Sequence, residues 1–205
     1  EPERIPMRED DPLRPINPYG RSKLAFEHLL EDCDAAYGLK SVCLRYFNAA
    51  GAAWGLGEDH VPETHLIPNV LRAGLGLEKG LTVFGDDYPT PDGTCVRDYV
   101  HIVDIADAHE RALNLLREGR SDRINLGNGK GFSVLEVIET AGRLMGGAIP
   151  YTISARRPGD PAVLLAGAER AARVLGWHPA YPSLEAIVES ALKWHREHPH
   201  GYGDR

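Results

Sequence analysis

Short apolar, β-branched runs alternate with longer segments of helical period along most of this chain, and that alternation restricts its fold more than any other feature. Ser41 to Phe47, Leu81 to Phe84, Cys95 to His101, Ile124 to Gly127 and Pro150 to Ile153 have the length and composition of strands. Around them, apolar spacing predicts helices from Tyr19 to Tyr37, Leu66 to Leu75, Ile102 to Arg117, Ser133 to Met145, Ala168 to Leu175 and Ser183 to His198. Interleaving of this kind is the signature of α/β packing. Pro12, Pro15 and Pro18 keep the first segment extended and release a helix where proline suits its first turn, and Gly38 stops that helix. Ser133 and Glu136 have the spacing of a capping box. Residues 48–63, rich in glycine, alanine and charge, read as one long loop, a length usually associated with a ligand.

Composition narrows the function classes. With 205 residues and 42% hydrophobic content, the chain can bury one sizeable core or two small ones. A net charge of -7 gives no basic footprint for nucleic acid, although clustered arginines can still hold a small anion. No apolar run reaches membrane-spanning length. Cys33, Cys43 and Cys95 are widely spaced and odd in number, which argues against a disulfide framework or zinc site and for reduced thiols in the cytoplasm. His195, His198 and His200 lack an acidic or cysteine partner at metal-binding spacing, so they read as a solvated tail and no metal is expected. Asp104 and Asp107 read as electrostatic partners of a helix start.

Tyr19 and Lys23 carry the clearest chemistry. In Pro18-Tyr-Gly-Arg-Ser-Lys-Leu they stand one helical turn apart, on one face. A free phenol is a poor base at neutral pH, and an ammonium beside it favours the phenolate, which makes the pair a proton-transfer device. Arg45-Tyr-Phe-Asn48 closes a strand, and open α/β sheets place ligands at the carboxyl ends of their strands.

Further segments run through the chain in order: Gly57-Glu-Asp-His-Val-Pro-Glu-Thr-His-Leu-Ile-Pro68, Leu81-Thr-Val-Phe-Gly85, Asp87-Tyr-Pro-Thr-Pro-Asp-Gly-Thr94, Val96-Arg-Asp-Tyr-Val-His-Ile-Val-Asp104 and Arg156-Arg-Pro-Gly-Asp160. Together with the Tyr19 and Lys23 segment, this series resembles the UDP-glucose 4-epimerases of the extended short-chain dehydrogenase/reductase family from one end of the chain to the other. The resemblance implies NAD as cofactor and interconversion of UDP-glucose and UDP-galactose through a 4-keto sugar. It makes Tyr19 the proton acceptor at the 4-hydroxyl and Lys23 the contact to the nicotinamide ribose, with Tyr46 and Phe47 near the nicotinamide. Asn48 then hydrogen-bonds the sugar nucleotide, His65 and Leu66 meet its phosphate and ribose region, and Thr82, Val83 and Phe84 read uracil. Arg97 and Arg157 become the diphosphate clamp, suited to it because a planar guanidinium pairs two phosphate oxygens at once. Asp160 accepts from the ribose hydroxyls, and Tyr88 covers the nucleotide. Leu164 takes the place of a tyrosine that in some related epimerases closes the pocket against a 2-acetamido group.

The same resemblance implies an architecture. Residues 1–48 and 95–120 would belong to a Rossmann-type NAD-binding domain, and 49–94 and 121–205 to a smaller nucleotide-sugar-binding domain. Nothing before Tyr19 can form the strand, glycine-rich turn and helix that hold a pyrophosphate, so the chain reads as a carboxyl-terminal portion lacking on the order of a hundred residues. The isolated chain is then expected to be inactive, and the parent to be a homodimer. Competing readings are another nucleotide-sugar epimerase or dehydratase of the extended family, and a non-catalytic nucleotide-sugar-binding module.

Overall fold

The computed structural model describes residues 2–78 and 80–203. The chain is α/β, as its alternation predicts. In order it forms α1 (Pro18–Tyr37), β1 (Val42–Tyr46), β2 (Asn48–Ala50), α2 (Leu66–Gly74), β3 (Leu81–Phe84), β4 (Val96–His101), α3 (Ile102–Arg117), β5 (Asp122–Leu126), β6 (Gly131–Ser133), α4 (Val134–Met145), β7 (Tyr151–Ser154), β8 (Val163–Leu164), α5 (Glu169–Leu175) and α6 (Leu184–Glu197). Local chemistry sets the boundaries. Asn17 accepts from the Gly20 amide at 2.8 Å, Pro18 opens α1, and Gly38 ends it at φ +70, a left-handed conformation that suits glycine. At α4 the capping box is complete: Ser133 Oγ accepts from the Glu136 amide at 3.0 Å, and Glu136 Oε2 accepts from the Ser133 amide at 2.7 Å.

Strand β4 organises the middle of the chain. Its second half runs parallel to β2, with Tyr99 beside Asn48. Its first half lies between antiparallel β6 and parallel β8, where Arg97 stands beside Leu164. Successive strand residues face opposite ways, so Tyr99 enters one core with α2, β3, α4 and α6, whereas Val100 enters another with α3, β5, α5 and Trp177. Asp98 shares the Val100 side and is fully buried.

The structure bears on three expectations. Residues 48–63 are not loop throughout, because Asn48–Ala50 pairs with β4. The boundary placed at 120 falls just before β5, which runs parallel to β1 with Val42 beside Asp122 and Tyr46 beside Leu126; the backbone ladder therefore joins β5 to the first region. Asp104 does more than face a helix dipole: its carboxylate accepts the amides of Ala180 at 2.8 Å and Tyr181 at 3.0 Å, tying α3 to the approach to α6. His101 caps α3 instead, its Nδ1 accepting from the Val103 amide at 3.1 Å. The remaining ring proton then lies on Nε2, which donates to Ser190 Oγ at 2.9 Å, and burial holds this imidazole below its ordinary pKa. Asp107 makes a local pair with Arg111 at 2.7 Å.

Candidate active site

A cavity of about 260 Å³ opens where β2, α2, β3, β4, α6 and the 157–160 turn meet. Asn48, His65, Leu66, Thr82, Val83, Phe84, Arg97, Arg157 and Asp160 all line it, so the structure gathers into one place most of the residues that the resemblance gave to a sugar nucleotide.

Each is positioned by its element. Asn48 begins β2 and its amide nitrogen donates to the Asp98 carbonyl at 3.0 Å. On β3 the alternation buries Leu81 and Val83 and leaves Thr82 exposed. Arg97 Nη2 meets Asp160 Oδ1 at 2.5 Å, and its other terminal nitrogen donates to the Val96 carbonyl at 2.9 Å. Arg157 lies with its guanidinium carbon 4.0 Å from the centroid of the Phe84 ring, a stacked cation–π contact. The two arginines of the turn thus part company, since Arg156 Nε pairs with Asp87 at 2.6 Å and its guanidinium covers Tyr88. Arg157 is the one left at the cavity.

Tyr88, expected to cover the nucleotide, lies inside the fold. It is 5% exposed, is absent from the cavity lining, and its hydroxyl finds no hydrogen-bond partner among the described residues. Burial pushes its phenol up to about 12. The 86–94 loop folds on itself, with the Tyr88 amide donating to the Gly93 carbonyl at 2.9 Å, and this turns the ring inward beneath Arg156. Leu164 also stands outside the lining, as the ladder neighbour of Arg97.

Other cavity residues were given no site role by the sequence. Glu58, Cys95, Tyr99, Trp194 and His195 complete the wall. His195 corrects the reading of a solvated tail: it is 3% exposed, its ring meets Trp194 edge-on at 5.0 Å, and burial lowers its pKa. His198 stacks on Trp194 at 5.0 Å, and of the three histidines only His200 is exposed. The apolar stripe of α6 was the available signal, since His195 follows Ile187, Val188, Ala191, Leu192 and Trp194 on its buried face. The Glu58 carboxyl is raised, first by burial, with His65 opposing and Glu63 adding to the rise.

Tyr19 and Lys23 lie elsewhere, on an α1 that buries no residue. Tyr19 is 72% exposed, and Lys23 Nζ stands 5.1 Å from the centroid of its ring, over the face. The helix therefore brings the pair into contact, although neither lines the cavity. Tyr46 is exposed at the end of β1, and Phe47, half-buried, links β1 to β2. Helix α1 is fastened to β1 through Glu27, whose carboxylate accepts from Arg45 Nε at 2.7 Å and is held below its ordinary pKa first by that hydrogen bond.

Residues 1–127 match the NAD dependent epimerase/dehydratase family, ending one residue beyond β5. A UDP-glucose 4-epimerase of Halalkalibacterium halodurans is 57% identical over 205 residues, covering 98% of this chain and 61% of the relative. The crystal structure of UDP-glucose 4-epimerase from Brucella ovis in complex with NAD superposes with a TM-score of 0.90 at 48% identity, covering 94% of this chain and 60% of that one. The Bifidobacterium longum UDP-glucose 4-epimerase in complex with NAD+ and UDP gives 0.92 at 41% identity, over 98% and 61%. The chain thus spans about 60% of the length of the relatives it matches. On that match and on its α/β fold, the chain belongs to the NAD dependent epimerase/dehydratase family.

Proposed function

We propose that this chain supplies the nucleotide-sugar pocket and the proton-transfer pair of an NAD-dependent UDP-glucose 4-epimerase. The observation that carries the reading is the gathering of Asn48, Leu66, Thr82, Phe84, Arg97 and Arg157 around one cavity. Backbone groups of β3 suit the edge of a uracil ring and Phe84 offers contact area, the usual division between polar and apolar groups in such pockets. Arg97 is already half neutralised by Asp160, so Arg157, held only through its face on Phe84, is the stronger attraction for a diphosphate. Asp160 is free to exchange part of its contact with Arg97 for ribose hydroxyls once a phosphate approaches.

The residues expected at the cofactor fit a nicotinamide nucleotide in their chemistry. Tyr19 and Lys23 offer an accessible phenol and ammonium in contact, and Tyr46 stands exposed at the carboxyl end of a parallel strand. When bound, NAD supplies a hydride acceptor for the sugar carbon. Tyr19 would take the proton of the 4-hydroxyl and return it, and Lys23 would hold the ribose and favour the phenolate. The residues of β3, β4 and the 157–160 turn would anchor the nucleotide while the sugar turns over.

The separation of α1 from the cavity lining also supports the expectation that the isolated chain binds but does not turn over. Because β5 pairs with β1, residues 121–126 are proposed to go with 1–48 and 95–120, in place of a boundary at 120. A homodimer of the parent is supported by the exposed Phe26 and Leu29 on α1. A cytoplasmic setting agrees with three free cysteines, and among the described residues no helix is long and apolar enough to cross a membrane.

Titrating UDP into the full chain by calorimetry, then assaying interconversion of UDP-glucose and UDP-galactose after fusion to the remaining segment of the Halalkalibacterium relative, tests the reading. Binding by the chain and turnover only by the fusion are expected. A fusion that binds UDP yet does not interconvert the sugars would leave the non-catalytic binding module as the better account.

A further inference from the structure

The loop that runs from Gly57 to α2 carries a cluster of which the nucleotide reading uses only His65. His65 Nδ1 lies 2.7 Å from Glu58 Oε1 and 2.8 Å from Glu63 Oε1, while His60 Nδ1 lies 3.1 Å from the same Glu58 oxygen. The His60 and His65 rings are 5.0 Å apart. One ligand atom from each of the four residues falls within 4.8 Å of every other.

A single imidazole N–H cannot serve two carboxylate oxygens well, and among the described residues neither Glu58 nor Glu63 has a lysine or arginine within ion-pair distance. Two carboxylates thus converge on one nitrogen with no lysine or arginine beside them. We propose that Glu58, His60, Glu63 and His65 form a binding site for a zinc-like divalent transition metal. Two imidazoles select a borderline ion over calcium or magnesium, which take oxygen ligands. Bonds of about 2.0 to 2.2 Å in a tetrahedron place ligand atoms roughly 3.3 to 3.6 Å apart, between the short and long separations found here. Metal capture moves the proton of each coordinating Nδ1 to Nε2 or to solvent.

The site is also supported from behind. Glu63 Oε1 accepts the amides of Thr64 at 2.7 Å and His65 at 2.8 Å, which fixes that carboxylate. Tyr202 grips the other end of the loop: its hydroxyl accepts from the Gly57 amide at 2.8 Å and donates to the Gly57 carbonyl at 2.9 Å, and its amide donates to Asp59 at 3.1 Å. Trp194 packs so closely over Gly57 that a Cβ there would lie 2.2 Å from the ring. Because Glu58 and His65 also line the cavity, a bound metal would fix one of its walls.

The proposal goes beyond the nucleotide reading and needs no nucleotide for its test. Tag-free full chain, stripped with a chelator, is titrated with Zn²⁺ alone and then with Co²⁺, whose intense visible absorption marks tetrahedral coordination. One equivalent of Zn²⁺ per chain and a tetrahedral Co²⁺ spectrum are expected. His60→Ala, at an exposed ring, and His65→Gln should each weaken Zn²⁺ binding by about tenfold or more with unchanged circular dichroism, while His178→Ala, at an exposed histidine elsewhere, should leave it intact. No stoichiometric uptake, or uptake indifferent to both His60→Ala and His65→Gln, overturns the site.

Discussion

The cavity and the exposed face of α1 are built in opposite ways. Around the cavity, charged and aromatic side chains already have partners: Arg97 has Asp160, Arg157 has Phe84, and Trp194 and His195 are buried against each other. On α1 no residue is buried, and Tyr19 and Lys23 have each other and solvent. A pocket that must hold a charged ligand in one pose gains from groups fixed beforehand, since ordering them on binding costs free energy. A proton acceptor in the proposed reaction must meet substrate and cofactor, and an α1 held by contacts such as Glu27 with Arg45 and Ser121 with Asp34 leaves Tyr19 exposed.

If α1 carries the chemistry and the cavity carries the binding, the largest separation between them comes from Tyr19→Phe. In the fusion described above, kcat should fall by about 10² to 10⁴, because the proton acceptor is removed, while affinity for UDP stays within about twofold. A kcat near that of the unaltered fusion would take Tyr19 out of the reaction and collapse the division of labour.

The assembled region should also own the pH dependence of stability. Asp98 is buried and accepts the amides of Asn128 at 2.8 Å and Ala166 at 3.1 Å, yet burial outweighs these bonds and raises its carboxyl to about 6. With the folded value above the unfolded one, the protonated form contributes stability that is present below the usual carboxylate range and is lost as pH rises through about 6. The loss amounts to about 3 kcal/mol. Asp98→Asn cannot ionise, so its stability gap to the unaltered chain should narrow from pH 4 to pH 7 in urea titrations. Parallel curves would assign the dependence to other groups.

Arg157→Ala addresses binding alone. A diphosphate is held alike in ground and transition states, and a charge-assisted contact is worth about 1.5 to 3 kcal/mol, so KM should rise by about tenfold to a hundredfold with kcat kept. A KM that does not move would exclude Arg157 from the site.

What could be read from the residues alone depended on how local the controlling physics was. Ile102–Arg117 and the Ser133/Glu136 box follow from periodicity and capping within a few residues, and both stand where they were expected. Strands β2, β6 and β8 are two or three residues long and exist because β4 offers them a ladder, so no period marked them. The cavity residues were found through motif likeness and not through any spacing, and Tyr88 shows the limit of that route: its motif was noticed, but the inward turn of its loop is a tertiary fact. A solvated tail was the wrong reading for His195 and a local helix role too small for Asp104, since each is buried among partners distant in sequence. The clustering of Glu58 and Glu63 with two histidines went unseen for the same reason, since their convergence depends on the fold of the loop.

The smallest effect expected lies at the edge of the cavity. Leu164 is the ladder neighbour of Arg97, and parallel neighbours project to the same face, so a larger side chain at 164 must press either on the sugar or on Arg97. If it meets the sugar, Leu164→Tyr in the fusion should lower kcat/KM for UDP-N-acetylglucosamine several-fold more than for UDP-glucose, because the extra volume opposes only the acetamido group. Discrimination of this kind by shape alone is modest, about 1 to 3 kcal/mol at most. If the tyrosine instead displaces Arg97 from Asp160, both sugars should lose affinity equally through the shared diphosphate. Equal losses would place Leu164 behind the clamp and hand the choice of sugar to another wall of the cavity.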